Sequence, residues 1–136
     1  MIKLRSEYES FQGSVDDLEG QVFDKVSKEC DTFCQGDSIV FYQDGKPKYI
    51  LGHEQDCCEY VSIEDICGDL SDLENSPMLF CEESINEDPN ADESATWTFY
   101  KFATQKGWVD IRFYGESNGY YSEDASLWRL VDEDRE

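Results

Sequence analysis

Basic side chains are scarce in this chain. Lys and Arg total 11 against 32 Asp and Glu over 136 residues, a formal net charge of -21. A surface of that sign repels nucleic acid and anionic membrane, and it attracts cationic surfaces. Direct binding to nucleic acid or membrane is therefore not expected. No apolar run approaches the roughly 20 residues that a membrane span requires. Met1 to Glu9 contains no apolar core region, so a signal peptide is not expected and a cytosolic location is. In a reducing compartment, cysteines are more often free or metal-bound than paired in disulfides. There is no phosphate loop, no Gly-x-Ser-x-Gly and no His-Glu-x-x-His. Histidine is nearly absent, with His53 alone. His53 beside Cys57 or Cys58 suggests a base and a thiol nucleophile. The surrounding acids raise a thiol pKa, however, where catalysis needs it lowered. An enzyme is not expected.

Bulky residues are well supplied. Eight Tyr, eight Phe and three Trp provide strand-favouring side chains for a core. The length fits a single domain over 1–136, large enough to bury a core without a staple. Self-repulsion at this charge costs stability, so a packed core or a bound cation has to offset it.

Turn chemistry divides the chain. Ser14 to Gly20 reads as one helical turn, with Ser14 as N-cap, Asp17 three residues on and Gly20 past the end. Gln21 to Glu29, Ser38 to Gln43 and Lys48 to His53 read as strands of an antiparallel meander, with Asp44-Gly45 as a hairpin turn. Ser62 to Asn75 reads as the main helix. Ser62 can cap it, and Ile63, Ile66, Leu70 and Leu73 recur at helical spacing. Gly68 is a blemish within it, and Pro77 stops it. Met78 to Ile85 is a strand. Residues 86–93 are an acidic loop. Ala95 to Thr104 and Trp108 to Tyr114 form an aromatic hairpin around Gln105-Lys106-Gly107, and Gly115 to Gly119 is a tight loop. Ser122 to Val131 suits a strand or a short helix, and 132–136 is a charged tail. The expected class is α+β: mainly antiparallel sheet, N-terminal meander plus C-terminal aromatic hairpin, with one main helix near 63–75.

The densest chemistry runs from His53 to Asp69, which holds the sole histidine and the adjacent Cys57 and Cys58. A meander returns the end of its first strand, the start of its second and the end of its third to one edge. Cys30 and Cys34 then meet His53 and Cys57, as Cys-x3-Cys and His-x3-Cys pairs. Two short-spaced pairs converging from separate hairpin ends suit a closed tetrahedral structural zinc site. Cys58 is the rival to Cys57 as fourth ligand. Asp56 or Glu59 is placed to orient His53 from behind. Structural zinc contributes on the order of 10 kcal/mol to folding in small zinc peptides. Cys67 and Cys81 read as core, since cysteine is often buried when it does no chemistry.

Partner binding points to the acids. Glu82, Glu83, Glu87, Asp88, Asp92 and Glu93 are the densest cluster. Taken singly, each also reads as an ordinary solvated carboxylate.

Two stretches carry a resemblance. One is His53-Glu54-Gln55-Asp56-Cys57-Cys58-Glu59 followed by Ile63-Glu64-Asp65-Ile66-Cys67-Gly68-Asp69. The other is Thr96 to Thr104 with Gly107, then Ile111 to Ser122. Together they resemble a family of small phage and prophage proteins, and the chain is similar to metal-containing type II anti-CRISPR proteins of streptococcal phages. Cys30 and Cys34 lie outside those stretches. The resemblance implies an inhibitor of a host type II CRISPR RNA-guided nuclease, acting in the cytoplasm of the infected bacterium. Such effectors hold nucleic acid in a positively charged channel, and an acidic protein bound there blocks DNA loading. Two other readings stay open: a phage accessory or structural zinc protein without inhibitory activity, and a general DNA mimic against restriction enzymes.

Overall fold

Burial alternates cleanly over residues 107–117, and alternation builds strands. The structure, a computed structural model, describes residues 8–30, 37–53, 60–89, 94–117 and 125–132. In order they form β1 (Tyr8–Gly13), the 3-10 turn η1 (Val15–Leu18), β2 (Lys25–Cys30), β3 (Asp37–Gln43), β4 (Lys46–Gly52) and β5 (Tyr60–Cys67). The 3-10 turn η2 (Leu70–Leu73) follows, then β6 (Phe80–Glu87), β7 (Ser94–Thr104), β8 (Gly107–Ser117) and β9 (Ser126–Asp132).

Two antiparallel sheets result. The first has the order β1-β9-β4-β3-β2 and the second β5-β8-β7-β6. Their inner faces close on one core. Val26, Ile39, Phe41, Leu51 and Leu127 come from the first sheet; Val61, Ile63, Tyr100, Phe102, Val109, Ile111 and Phe113 come from the second. Phe41 meets Phe102 across the seam edge-on, with ring centroids 5.9 Å apart. Full burial of each such ring contributes about 1.5–3 kcal/mol. A smaller cluster of Val40, Tyr42, Ile50 and Leu130 lies on the other face of the first sheet, with Trp128 packed against it.

Local chemistry sets the turns. Asp44 and Gly45 take φ of 56° and 76°, the mirror-image turn that fits strand twist, and they join β3 to β4. Ser14 and Asp17 form a reciprocal capping box on η1, as the sequence predicts. The Thr104 hydroxyl accepts from the Lys106 amide at 3.1 Å and shapes the β7–β8 turn. Backbone bonds then tie the segment after η2 to the segment after η1. Asn75 donates to the Phe23 carbonyl at 2.7 Å, and Met78 to that of Gln21 at 3.0 Å.

The expected main helix over 63–75 is not formed. The architecture is an antiparallel two-sheet packing, not α+β, and the stretch is β5 followed by η2. A bulge explains the misleading period. Ile63 pairs with Phe113 and Ile66 with Ile111, so three steps on β5 oppose two on β8. The extra residue keeps Ile63 and Ile66 on the inner side at a spacing that imitates a helix. Tyr60, Val61, Ile63 and Ile66 also favour strand intrinsically. Asp69, not Ser62, caps the one helical turn that follows, and its carboxylate accepts from the Ser71 amide at 3.0 Å. Other boundaries shift as well. β1 occupies a stretch with little sequence signal, Asn86 and Glu87 belong to β6, β8 continues to Ser117, and Ser126–Asp132 is strand.

Gly68 is what lets β5 turn into η2. Its φ is +109°, and a Cβ there would stand 2.5 Å from the Trp108 carbonyl oxygen. Gly20 has φ of +84° with open space around it. Gly68→Ala is expected to destabilise the fold by at least about 2 kcal/mol, and Gly20→Ala by about 1 kcal/mol. Urea unfolding of both variants measures the difference, and equal losses would contradict the close approach at Gly68.

Candidate partner-binding surface

The acids singled out by sequence fall along one strand. β6 reads Phe-Cys-Glu-Glu-Ser-Ile-Asn-Glu and pairs with β7 over all eight residues without a shift, from Phe80 opposite Ala103 to Glu87 opposite Thr96. Cys81 alone points its side chain into the core; Glu82, Glu83 and Glu87 are exposed. Glu83 accepts the Tyr100 hydroxyl at 2.7 Å, and the Asp88 carboxylate accepts that of Tyr114 at 3.3 Å. Those bonds hold two of the carboxylates in place. Asp92 and Glu93 lie outside the described residues, as do 133–136 of the expected charged tail.

Alternation along an unshifted strand puts neighbours on opposite sides. Glu83 and Glu87 share the side of Cys81, while Glu82 joins the outer face of the second sheet. That outer face is a ladder of opposite charges over aromatic rings. Glu82 stands across from Lys101, Lys101 from Asp110, and Asp65 from Arg112. Arg112 pairs with Asp65 at 3.2 Å and lies 5.6 Å from the Trp97 ring centre. Lys101 lies 5.8 Å from the Trp108 ring centre. Trp97 stacks on Phe99 at 6.0 Å and meets Tyr114 at 4.5 Å. An open cleft of about 490 Å³ runs here, lined by Asp65, Glu82, Phe99, Lys101, Asp110 and Arg112 among others. Its two cations are matched by three carboxylates, so the arrangement suits polar and ionic contact. Sequence reasoning missed this ladder. It is legible once the Gln105-Lys106 turn fixes the register, because Trp97, Phe99 and Lys101 alternate on β7 as Asp110, Arg112 and Tyr114 do on β8.

The proposed metal ligands are only partly described. Cys30 ends β2, and His53 follows the last residue of β4. Cys30 is opposite Asp37 and Leu51 opposite Ile39, so both chain positions lie at one end of the first sheet, about 10 Å apart across two strand spacings. His53 is buried. Cys34, Cys57 and the alternative ligand Cys58 lie outside the described residues. Those described bring together no group of three or more His, Cys, Asp or Glu able to hold a metal ion.

The other two cysteines differ from each other. Cys67 is exposed at the end of β5, contrary to the expected core position. It donates to Asp65 at 3.4 Å, and that bond and the Asp65 charge push its pKa up. Cys81 is buried, and desolvation, with help from Glu19 and Asp16, pushes it up to about 12. Neither is poised as a thiolate at neutral pH.

Cys81 gives a pH prediction. The folded thiol keeps its proton to about 12, whereas an unfolded one loses it near 9.0. Its stabilisation is therefore complete below pH 9 and is lost as pH rises towards 12, with a slope of up to about 1.4 kcal/mol per pH unit. Urea unfolding at pH 8 and 10 should show the parent chain losing on the order of 1 kcal/mol more than Cys81→Ala. Equal losses would contradict a desolvated thiol.

Among the described residues, no helix is long and apolar enough to cross a membrane. None of the curated proteins and none of the solved structures compared with this chain matches it. A family model does match, described as a domain of unknown function, DUF7448, and it spans residues 16–127, from η1 into β9. The chain belongs to the DUF7448 family.

Proposed function

We propose that this chain is a non-enzymatic phage inhibitor that occupies a cationic, nucleic-acid-handling surface of a host nuclease in the infected cytoplasm. The first target is a type II CRISPR RNA-guided nuclease, whose DNA-loading channel carries the complementary charge. One observation carries the reading. Glu82, Glu83 and Glu87 are displayed on a regular, exposed strand within a chain of net charge -21. Carboxylates on a strand keep fixed spacings, so they can meet a patterned cationic surface with little ordering cost. Long-range attraction speeds the encounter, and the channel so occupied no longer admits DNA. Structural zinc on Cys30, Cys34, His53 and Cys57, or Cys58, belongs to the same proposal. It would pin the end of the meander and neutralise charge there.

A cleavage panel tests the function. Purified protein is titrated against a type II RNA-guided nuclease and several restriction enzymes, at about 0.1 and 0.5 M salt, between which the screening length falls about twofold. The expected result is selective inhibition of the RNA-guided enzyme, weakened at least about tenfold at the higher salt. Equal inhibition of every enzyme supports instead a general DNA mimic. Absence of inhibition supports an accessory role and contradicts the proposal. Elemental analysis tests the metal: one zinc per chain, lost together with thermal stability on chelation or in Cys34→Ala. Metal-free protein that melts no earlier than the untreated protein would contradict structural zinc.

A further inference from the structure

The inhibitor reading leaves open how a partner is held, and β6 supplies a means. The Asp88 amide donates to the Ala95 carbonyl at 2.9 Å, which fixes the phase of the β6–β7 ladder. The register then runs unshifted from Glu87 back to Phe80. In an antiparallel ladder, successive residues turn their N–H and C=O groups to opposite sides. Ser84, Asn86 and Glu82 therefore bond to β7, while Cys81, Glu83, Ile85 and Glu87 turn their backbone groups outward. Among the described residues no strand pairs with that side, because β6 ends the second sheet.

The other edges are less open to a strand of cationic character. β5 is broken by its bulge between Ile63 and Asp65. β2 carries Lys25 and Lys28, and its Val26 amide is already bonded to the Glu74 carboxylate at 2.9 Å. β1 has one carboxylate in six residues. Among the described strands, β6 alone offers an unshifted eight-residue run with three glutamates, and η1 packs near its start at Cys81. It also keeps apolar surface uncovered: Ile85 is 48% exposed and Leu79, just before the strand, 63%.

We propose that the outer edge of β6 accepts an extended cationic segment of the partner protein as an added β-strand. Main-chain bonds to Glu83, Ile85 and Glu87 would give the attachment, and side-chain pairing the selectivity. Opposite Glu82, Glu83 and Glu87 the incoming strand carries Lys or Arg; opposite Ile85 it carries an apolar residue. A second copy of this chain is the occupant the charges reject. Pairing β6 with β6 would line both sets of three glutamates along one seam, and like charges across a ladder are destabilising.

This proposal rests on the inhibitor reading for its partner, but its test does not. The probe is an end-capped ten-residue peptide, with lysines placed to meet Glu82, Glu83 and Glu87, valine to meet Ile85, and threonine elsewhere. A permuted peptide of the same composition is the control, and binding is followed by fluorescence anisotropy. The matched peptide is expected to bind at least about fivefold more tightly than the permuted one. Ile85→Pro removes an outward amide and no ladder bond to β7, so it should fold and weaken binding at least about tenfold. Glu82→Lys with Glu87→Lys, both at exposed sites, should weaken it similarly without touching the backbone. Circular dichroism checks the fold of each. Equal affinity for both peptides, or undiminished binding by a folded Ile85→Pro protein, overturns the site. Nuclease inhibition fully retained by Ile85→Pro overturns it too, yet leaves the inhibitor reading standing. Peptide binding that follows this pattern without nuclease inhibition supports the edge and removes the proposed target.

Discussion

The β6–β7 ladder joins Phe80 through Glu87 to Ala103 through Thr96, residue for residue, and beyond it β6 meets no further strand among those described. The position of every candidate contact group on β6 follows from that one-sided pairing. It splits the glutamates between two sides, Glu82 towards the cleft and Glu83 with Glu87 towards the other, and it turns a row of backbone donors and acceptors outward. The ladder is anchored from within. Cys81 is the one β6 side chain in the core, opposite Phe102, which in turn meets Phe41 of the first sheet. The acidic strand thus gets its rigidity from aromatic packing, from β7, whose Tyr100 also holds Glu83, and from η1 packed against it.

Charge and core act against each other here. A net charge of -21 favours expansion, and the surface cations are few. Several of them are already committed within the sheets: Arg112 to Asp65 and the Trp97 face, Lys101 to the Trp108 face, and Lys25 to the Tyr42 ring at 5.1 Å. Exposed pairs of this kind contribute little, about 0–1 kcal/mol each. The two-sheet seam of Phe23, Phe41, Tyr100, Phe102 and Phe113 must therefore outweigh the repulsion. Carboxylates along an edge that no described strand pairs with have two consequences from one cause. They discourage pairing between copies, and they favour a cationic visitor.

Parts of this arrangement were legible in the sequence because their signals are local. Asp44-Gly45 dictates its turn through backbone conformation alone, and Ser14 with Asp17 forms the capping box its spacing suggests. The aromatic hairpin declares itself by alternation on either side of Gln105-Lys106. The failure at 63–75 has an equally local cause. A bulge inserts one residue between Ile63 and Ile66, and η2 then adds Leu70 and Leu73, so strand plus turn reproduce the spacing of a helix face. No window of sequence distinguishes that combination; the pairing of Ile63 and Ile66 with β8 does. Cys67 was misplaced for the same reason, since a helix would have turned it inward and the strand leaves it exposed. The acidic cluster was found by composition, but its edge position depends on sheet order, which is a long-range property.

Amide hydrogen exchange along β6 tests the central claim most directly. In the free protein, the outward amides of Glu83, Ile85 and Glu87 should exchange much faster than those of Ser84, Asn86 and Asp88, which face β7. A saturating cationic partner should slow the first set and leave the second unchanged. Equal protection of both sets in the free protein would show that the edge is already occupied, and no slowing on binding would show that the partner is held elsewhere.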